Sequence, residues 1–211
     1  MTERERLLDD QVRRADPDRW LSSRFVTDER ARADLIALYA FEAELIAIPT
    51  RVTQPLLAEM RYAWWSEQLD GVWAGVARVG HPVLEALTEL VRRYRLDRAP
   101  FEALIDAHIG RVHGQPHDLE AFYVGPMQVA VSLLAGPDHA WAVVEAARLW
   151  GLTQTGQGNA AHDLRAAANR VLIDLPAVAF PAVAHAALHR PGDSDPMKRL
   201  KLTWAVLRGR V

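Results

Sequence analysis

No cysteine occurs among the 211 residues of the chain, which excludes disulfides, thiolate zinc sites and thiol catalysis together and is compatible with a reducing compartment. Charge of one sign is lacking too: 25 lysines and arginines stand against 27 aspartates and glutamates, for a formal net charge of -2. Nucleic acid is therefore not an expected partner. No apolar run approaches the ~18 to 20 residues that span a bilayer, so no transmembrane segment is expected. Met1 to Arg14 is charged and has no apolar stretch of the secretory kind. A cytoplasmic location follows, with peripheral contact at the inner membrane left open. The alternation and β-branched density of strands are almost wholly missing, as are a glycine-flanked serine at a strand-helix elbow and a phosphate-cradling glycine loop.

What is present is helical punctuation. Half the residues are hydrophobic and a quarter charged, enough for one domain over residues 1–211 with a substantial core. Asp16-Pro17-Asp18 reads as a capped start of a short helix through Trp20 and Leu21. Thr27 is placed to cap a longer helix that runs to a break at Pro49. Further helices are expected from Pro55 to about Trp73, Pro82 to Tyr94, Pro100 to about Val112, Leu119 to Leu134 with a break at Gly125-Pro126, and Pro137 to about Thr155. Beyond Gly158 a helical stretch leads to Val171, followed by a short helix from Pro181 to Leu188 and a last one from Pro196. Pro191 to Asp195 reads as the loop with most freedom. The pattern is all-α, a bundle of eight or more helices joined by short loops.

On the Thr27 helix, Tyr39, Ala43, Ile46 and Thr50 share one face, and that face cannot bind magnesium. Glu44 sits on another stripe among alanines and wants a partner if buried, with Arg61 the suggested one; Glu42 and Glu44 facing water is the alternative. The Pro55 helix, with Met60, Trp64, Trp65, Leu69 and Trp73, is apolar over more than half its circumference and reads as central. The pairs Glu85/Glu89 and Glu102/Asp106 mark a solvated helix surface. His108, His113 and His117, with Asp106 and Asp118, form the one metal-like cluster, and surface histidines in a loop are the default reading.

Leu38-Tyr39-Ala40-Phe41, then Arg61-Tyr62-Ala63-Trp64-Trp65-Ser66-Glu67-Gln68-Leu69-Asp70-Gly71 and His81-Pro82-Val83, resemble the squalene/phytoene synthase family, and the resemblance runs from about Asp18 to Arg208. It implies an isoprenoid-synthase-like helical bundle around a central cavity for prenyl chains, with the Trp64-Trp65 helix in its wall. In catalytic members two aspartate-rich segments hold magnesium against a prenyl diphosphate. The place of the first reads Glu42 to Thr50 here, with Ile46 and Thr50 where the spaced aspartates belong. The second lies between Trp150-Gly151-Leu152-Thr153-Gln154 and Arg170-Val171-Leu172-Ile173-Asp174-Leu175-Pro176, where Asp163 is the one acid.

Within the family, Ala40 to Leu45, Arg51 to Gln54 and Trp64-Trp65 most resemble the branch that contains the mitochondrial respiratory complex I assembly factor. The resemblance implies a non-catalytic assembly or scaffold factor that needs no cofactor and contacts respiratory complex subunits or other assembly factors. Two alternatives stand beside it. One is a prenyl diphosphate-using transferase, requiring magnesium, in which Glu44, Glu67, Asp70 or Asp163 converge on one cavity. The other is a carrier of an apolar lipid or isoprenoid. Tyr39, Phe41, Glu44, Arg61, Trp64, Trp65, Glu67, Asp70, Gln154 and Arg170 are the expected cavity or partner-contact residues.

Overall fold

In this computed structural model the described residues are 1–76, 78–188 and 193–211, and the side chains of 158–160, 162 and 163 lie outside that description. Among the described residues every regular element is helical. The first is α1 (Glu3–Ala15), which the sequence reading did not assign; Thr2 and Glu5 cap it reciprocally, and Leu8 and Val12 bury its inner stripe against α3. Asp16 then caps α2 (Pro17–Ser23) by accepting from the Arg19 amide.

α3 (Glu29–Arg51) is the central helix: from Asp34 to Ala43 every residue is buried, as are Leu45 and Ile48. Its cap is Asp28, whose carboxylate accepts from the Ala31 amide at 2.7 Å, and not Thr27. Pro49 does not break it. A proline there removes only the hydrogen bond that would reach the Leu45 carbonyl, and that carbonyl instead accepts from the Tyr62 hydroxyl at 3.2 Å. Asp34 ties α3 to α5 (Pro82–Tyr94): Arg93 donates to both its oxygens at 2.5 and 2.6 Å, and Tyr94 donates at 2.9 Å.

α4 (Pro55–Trp73) takes the peripheral place that the sequence reading denied it. Ala58, Tyr62, Trp65, Leu69 and Val72 form a single buried stripe, while Leu56, Leu57 and Met60 are exposed on the outer side. The apolar residues around its circumference thus serve two faces, of which one packs. α6 (Ala99–Val112) follows. A π-helical turn, Glu120–Val124, then passes into α7 (Gly125–Ala135). Pro126 has no amide hydrogen to continue an α-helical ladder, and the Gly125 amide reaches back five residues to the Glu120 carbonyl, widening the turn.

A 3-10 stretch, Pro137–Val143, feeds α8 (Val144–Gln154), which pairs with α9 (Gly158–Val171). Short 3-10 turns at Ala177–Ala182 and Ala184–Ala187 lead to α10 (Asp195–Arg208). Of the expected loop from Pro191 to Asp195, residues 191 and 192 lie outside the described residues.

Gly151 lets α8 meet the π-turn closely. A Cβ at this position would stand 2.6 Å from the Tyr123 ring and 2.9 Å from the Leu119 side chain, so Gly151→Ala is expected to cost about 1 to 3 kcal/mol in urea unfolding by overpacking. A neutral result would mean that the π-turn yields without loss.

Candidate functional site

α2, α3, α6, the π-turn, α7, α8 and the 184–187 turn converge on one central cavity of about 480 Å³, within the ~300 to 1,000 Å³ usual for small-molecule sites. Its charged centre is Arg19. The guanidinium donates to Asp16 at 2.6 Å and to Glu42 at 2.5 Å, and its carbon lies 4.7 Å from the Tyr39 ring centroid. Burial opposes the charge on Arg19, but Glu42 and Asp16 more than offset it and hold the guanidinium above its ordinary value. Burial also pushes Glu42 up, with Arg19 only partly countering it. For Asp16 burial acts the same way and is outweighed by Arg19, so its carboxyl lies below its usual value. The Tyr39 phenol is pushed up by burial and stays protonated.

A hydrogen-bond chain fixes the second polar group. Because the Tyr62 hydroxyl donates to Leu45, its oxygen is left to accept from His108 Nδ1 at 3.3 Å. His108 therefore carries its proton on Nδ1, and Nε2 is an acceptor. Burial, with His117 nearby, drives His108 down to about 4, so the ring is neutral at ordinary pH. His185 is driven to about 3 by burial and by the charge of Arg19, and it meets Trp150 edge-on with centroids 5.1 Å apart. His117 stacks on Phe122 at 4.3 Å.

Five buried polar atoms on residues lining this cavity have no hydrogen-bond partner among the described residues: Tyr39 Oη, Glu42 Oε1, His108 Nε2, His117 Nε2 and His185 Nδ1. Such atoms are costly unless something fills their bonding capacity. The rest of the wall is mixed: Ile46, Leu104, Phe122, Pro126, Met127 and Trp150 are apolar, while Asp18, Arg111 and Gln154 are polar.

Of the residues expected to matter, Tyr39 and Gln154 line the cavity. Phe41 is core, packed against Trp65 and Phe101 with centroids 5.5 and 5.6 Å away. Glu44, Arg61, Trp64 and Trp65 line a separate outer groove of about 670 Å³ together with Arg51, Arg78 and His81, so the tryptophan pair does not wall the central cavity. Glu44 is bound by Gln11 at 2.7 Å and Arg51 at 3.2 Å; Arg61 is not its partner. Glu67 is exposed, and so is Asp70, which pairs with Arg98 at 2.7 Å. Arg170 is exposed on α9. The acids Glu44, Glu67 and Asp70 thus do not converge, and the Asp163 side chain lies outside the described residues.

Of His108, His113 and His117, His113 alone is exposed, 3.2 Å from Glu59; His108 is buried and His117 partly so, both against the cavity. Sequence reasoning passed over Arg19, and treated Asp16 as a cap alone. A signal was present in the spacing, since an acid three residues before an arginine at a helix start can both cap and pair.

A magnesium ion bridging a diphosphate needs oxygen ligands free to coordinate, typically from one or two carboxylates. Asp16 gives both its oxygens to Arg19, Asp18 is held by Lys198, and Glu42 keeps a single bare oxygen beside Arg19. The other oxygen and nitrogen donors of the lining are imidazoles, phenols and the Gln154 amide, and no group of three or more metal-ligating side chains occurs among the described residues. The described residues do not fit that ion.

The chain matches a solved structure, the crystal structure of squalene synthase HpnC from Alicyclobacillus acidocaldarius, with a TM-score of 0.71 and 13% sequence identity over 98% of this chain and 94% of that one. At this identity the likeness establishes the fold, the helical isoprenoid-synthase arrangement. No curated protein sequence matches. The family model for squalene/phytoene synthase matches residues 12–123, more than half of the chain, across the helices that carry Arg19, Tyr39, Glu42 and His108, and the chain belongs to the squalene/phytoene synthase family.

Proposed function

We propose that this protein is a member of the family that does not catalyse prenyl transfer and works as an assembly or scaffold factor for a respiratory membrane complex. One observation carries the non-catalytic part. Arg19 is already bound by two carboxylates inside the cavity, and Ile46, at the place where the resemblance puts the first aspartate, presents an apolar side chain to the same cavity. A departing diphosphate would meet a central cation already bound by two carboxylates, with Arg111, held by the Gln115 carbonyl, at the exposed margin, and no carboxylate cluster among the described residues to recruit magnesium. The resemblance to the complex I assembly branch supports the cellular role, with respiratory subunits or other assembly factors as partners and a cytoplasmic location peripheral to the inner membrane.

The test is calorimetric titration with a non-hydrolysable farnesyl diphosphate analogue, with and without magnesium. No magnesium-dependent binding is expected; tight binding that requires magnesium would return the protein to the transferases. Gene deletion should lower the abundance and activity of complex I, and unchanged complex I would remove the assembly role. A second reading, a carrier of an apolar lipid or isoprenoid, is favoured by the unpartnered polar atoms of the cavity. Their chemistry suits a neutral amphiphile with a hydrogen-bonding head, such as a prenyl alcohol, because His108 Nε2 and Glu42 Oε1 accept and Tyr39 Oη donates. Farnesol binding that the diphosphate analogue does not displace is the result expected of a carrier.

A further inference from the structure

α10 presents two faces. Leu202 and Ala205 are buried and hold it against the body, while Met197, Leu200, Trp204 and Leu207 are between 43% and 75% exposed. The exposed four recur at intervals of three, four and three residues, which places them on one stripe roughly opposite the buried side. Large apolar side chains scattered singly over a surface need no account, but a continuous stripe on one helix does.

The charge around the stripe is predominantly positive. Residues 195–211 hold Lys198, Arg199, Lys201, Arg208 and Arg210 against the single acid Asp195, in a chain whose net charge is -2. Lys198 is spent on Asp18 at 2.6 Å and Lys201 on Asp193. Arg199, Arg208 and Arg210 are exposed and form no ion pair among the described residues. Arg208 lies over the Trp204 ring, 4.3 Å from its centroid. Beside the stripe runs a groove of about 590 Å³ whose lining includes Leu200, Trp204, Val211, Lys201, Arg208 and Arg210 and no acidic residue.

We infer that α10 and its groove form a docking surface for an anionic phospholipid membrane. Leucines and a tryptophan on one face, with arginines at its margin, are what a helix lying in the lipid headgroup region requires: the apolar side chains enter the acyl boundary and the guanidiniums reach phosphates. Self-association is disfavoured by the same charge, since two copies joined through this stripe would bring their unpaired arginines together. The inference rests on α10 alone and stands whether or not the assembly role does. No described helix is long and apolar enough to cross a membrane, so contact through α10 would be peripheral.

Co-sedimentation of the full chain with phosphatidylcholine vesicles, with and without phosphatidylglycerol, tests it. Binding is expected only with phosphatidylglycerol and should weaken as salt is raised. Replacing all three free arginines, R199Q/R208Q/R210Q, should lower the partition coefficient on the order of a hundredfold. L200S/L207S should lower it roughly tenfold or more. These side chains are exposed, so unchanged circular dichroism and thermal transition verify folding. Quenching of Trp204 by brominated phospholipid, lost in W204F, locates the contact. Equal binding to uncharged vesicles, or binding indifferent to both variants, overturns the inference. A concentration-dependent dimer abolished by L200S/L207S, with no vesicle binding, overturns it in favour of a second copy, and binding only to an acidic helical peptide overturns it in favour of a protein partner.

Discussion

Arg19→Met lowers the free energy of unfolding by about 3 to 5 kcal/mol, the usual consequence of removing one partner from a buried ion pair. Glu42 is only 3% exposed, and among the described residues Arg19 is its sole hydrogen-bond partner, its other oxygen being bare. Methionine preserves most of the volume, so what is lost is charge compensation rather than packing. Equilibrium urea unfolding at neutral pH measures it. The deficit should shrink in mild acid, because protonating Glu42 removes the stranded charge, and Arg19→Met with Glu42→Gln should recover much of it for the same reason. A loss below about 1 kcal/mol would mean that the carboxylates exchange Arg19 for water, as exposed pairs do. It would also open the cavity centre to a cation and weaken the non-catalytic reading.

The helices were legible because proline marks their first turns. Pro17, Pro55, Pro82, Pro126, Pro137 and Pro196 each stand at the start of a helical element, where a missing amide hydrogen costs nothing. The same residue misled at Pro49, since its effect depends on what happens to the carbonyl it abandons. Leu45 finds the Tyr62 hydroxyl, from a helix seventeen residues away in sequence, and no local pattern encodes that rescue. α1 was overlooked because its charge dominates its composition, although Thr2 and Glu5 form the capping box in plain view.

The site was less legible than the fold. Tyr39 and Gln154 were identified through the resemblance, and both reach the cavity. Trp64 and Trp65 were not separable from cavity residues by periodicity, because α4 is apolar on its outer face as well as its inner one, and only the packing of α4 against α5 and α6 decides which face looks where. Arg19, His108 and His185 come from three distant segments. Their significance lies in meeting around one cavity, a property of tertiary structure that sequence spacing does not contain.

Stability should fall steeply as the solution is acidified below about pH 6.5, and two of those residues supply the reason. In the unfolded chain His108 and His185 take up protons near the ordinary value of 6.5; in the folded protein they resist until about 4 and about 3. Between those limits the unfolded state binds more protons, so acid favours it, and stability present above pH 6.5 is lost as pH falls toward the folded values. At about 1.4 kcal/mol per unit of displacement, His108 alone accounts for roughly 3 kcal/mol and His185 for somewhat more. Asp16, held low by Arg19, acts in the same direction at lower pH. Glu42, raised by burial, acts against it by taking up a proton in the folded state first. His108→Gln should flatten the acid limb of a urea-midpoint profile, even where it lowers stability at neutral pH by disturbing Tyr62, because glutamine cannot titrate. A profile level from about pH 7 to 5 in the unmodified protein would mean that both imidazoles protonate in place. The cavity would then be wet enough to solvate charge, which would make a neutral amphiphile a poorer occupant than a charged one.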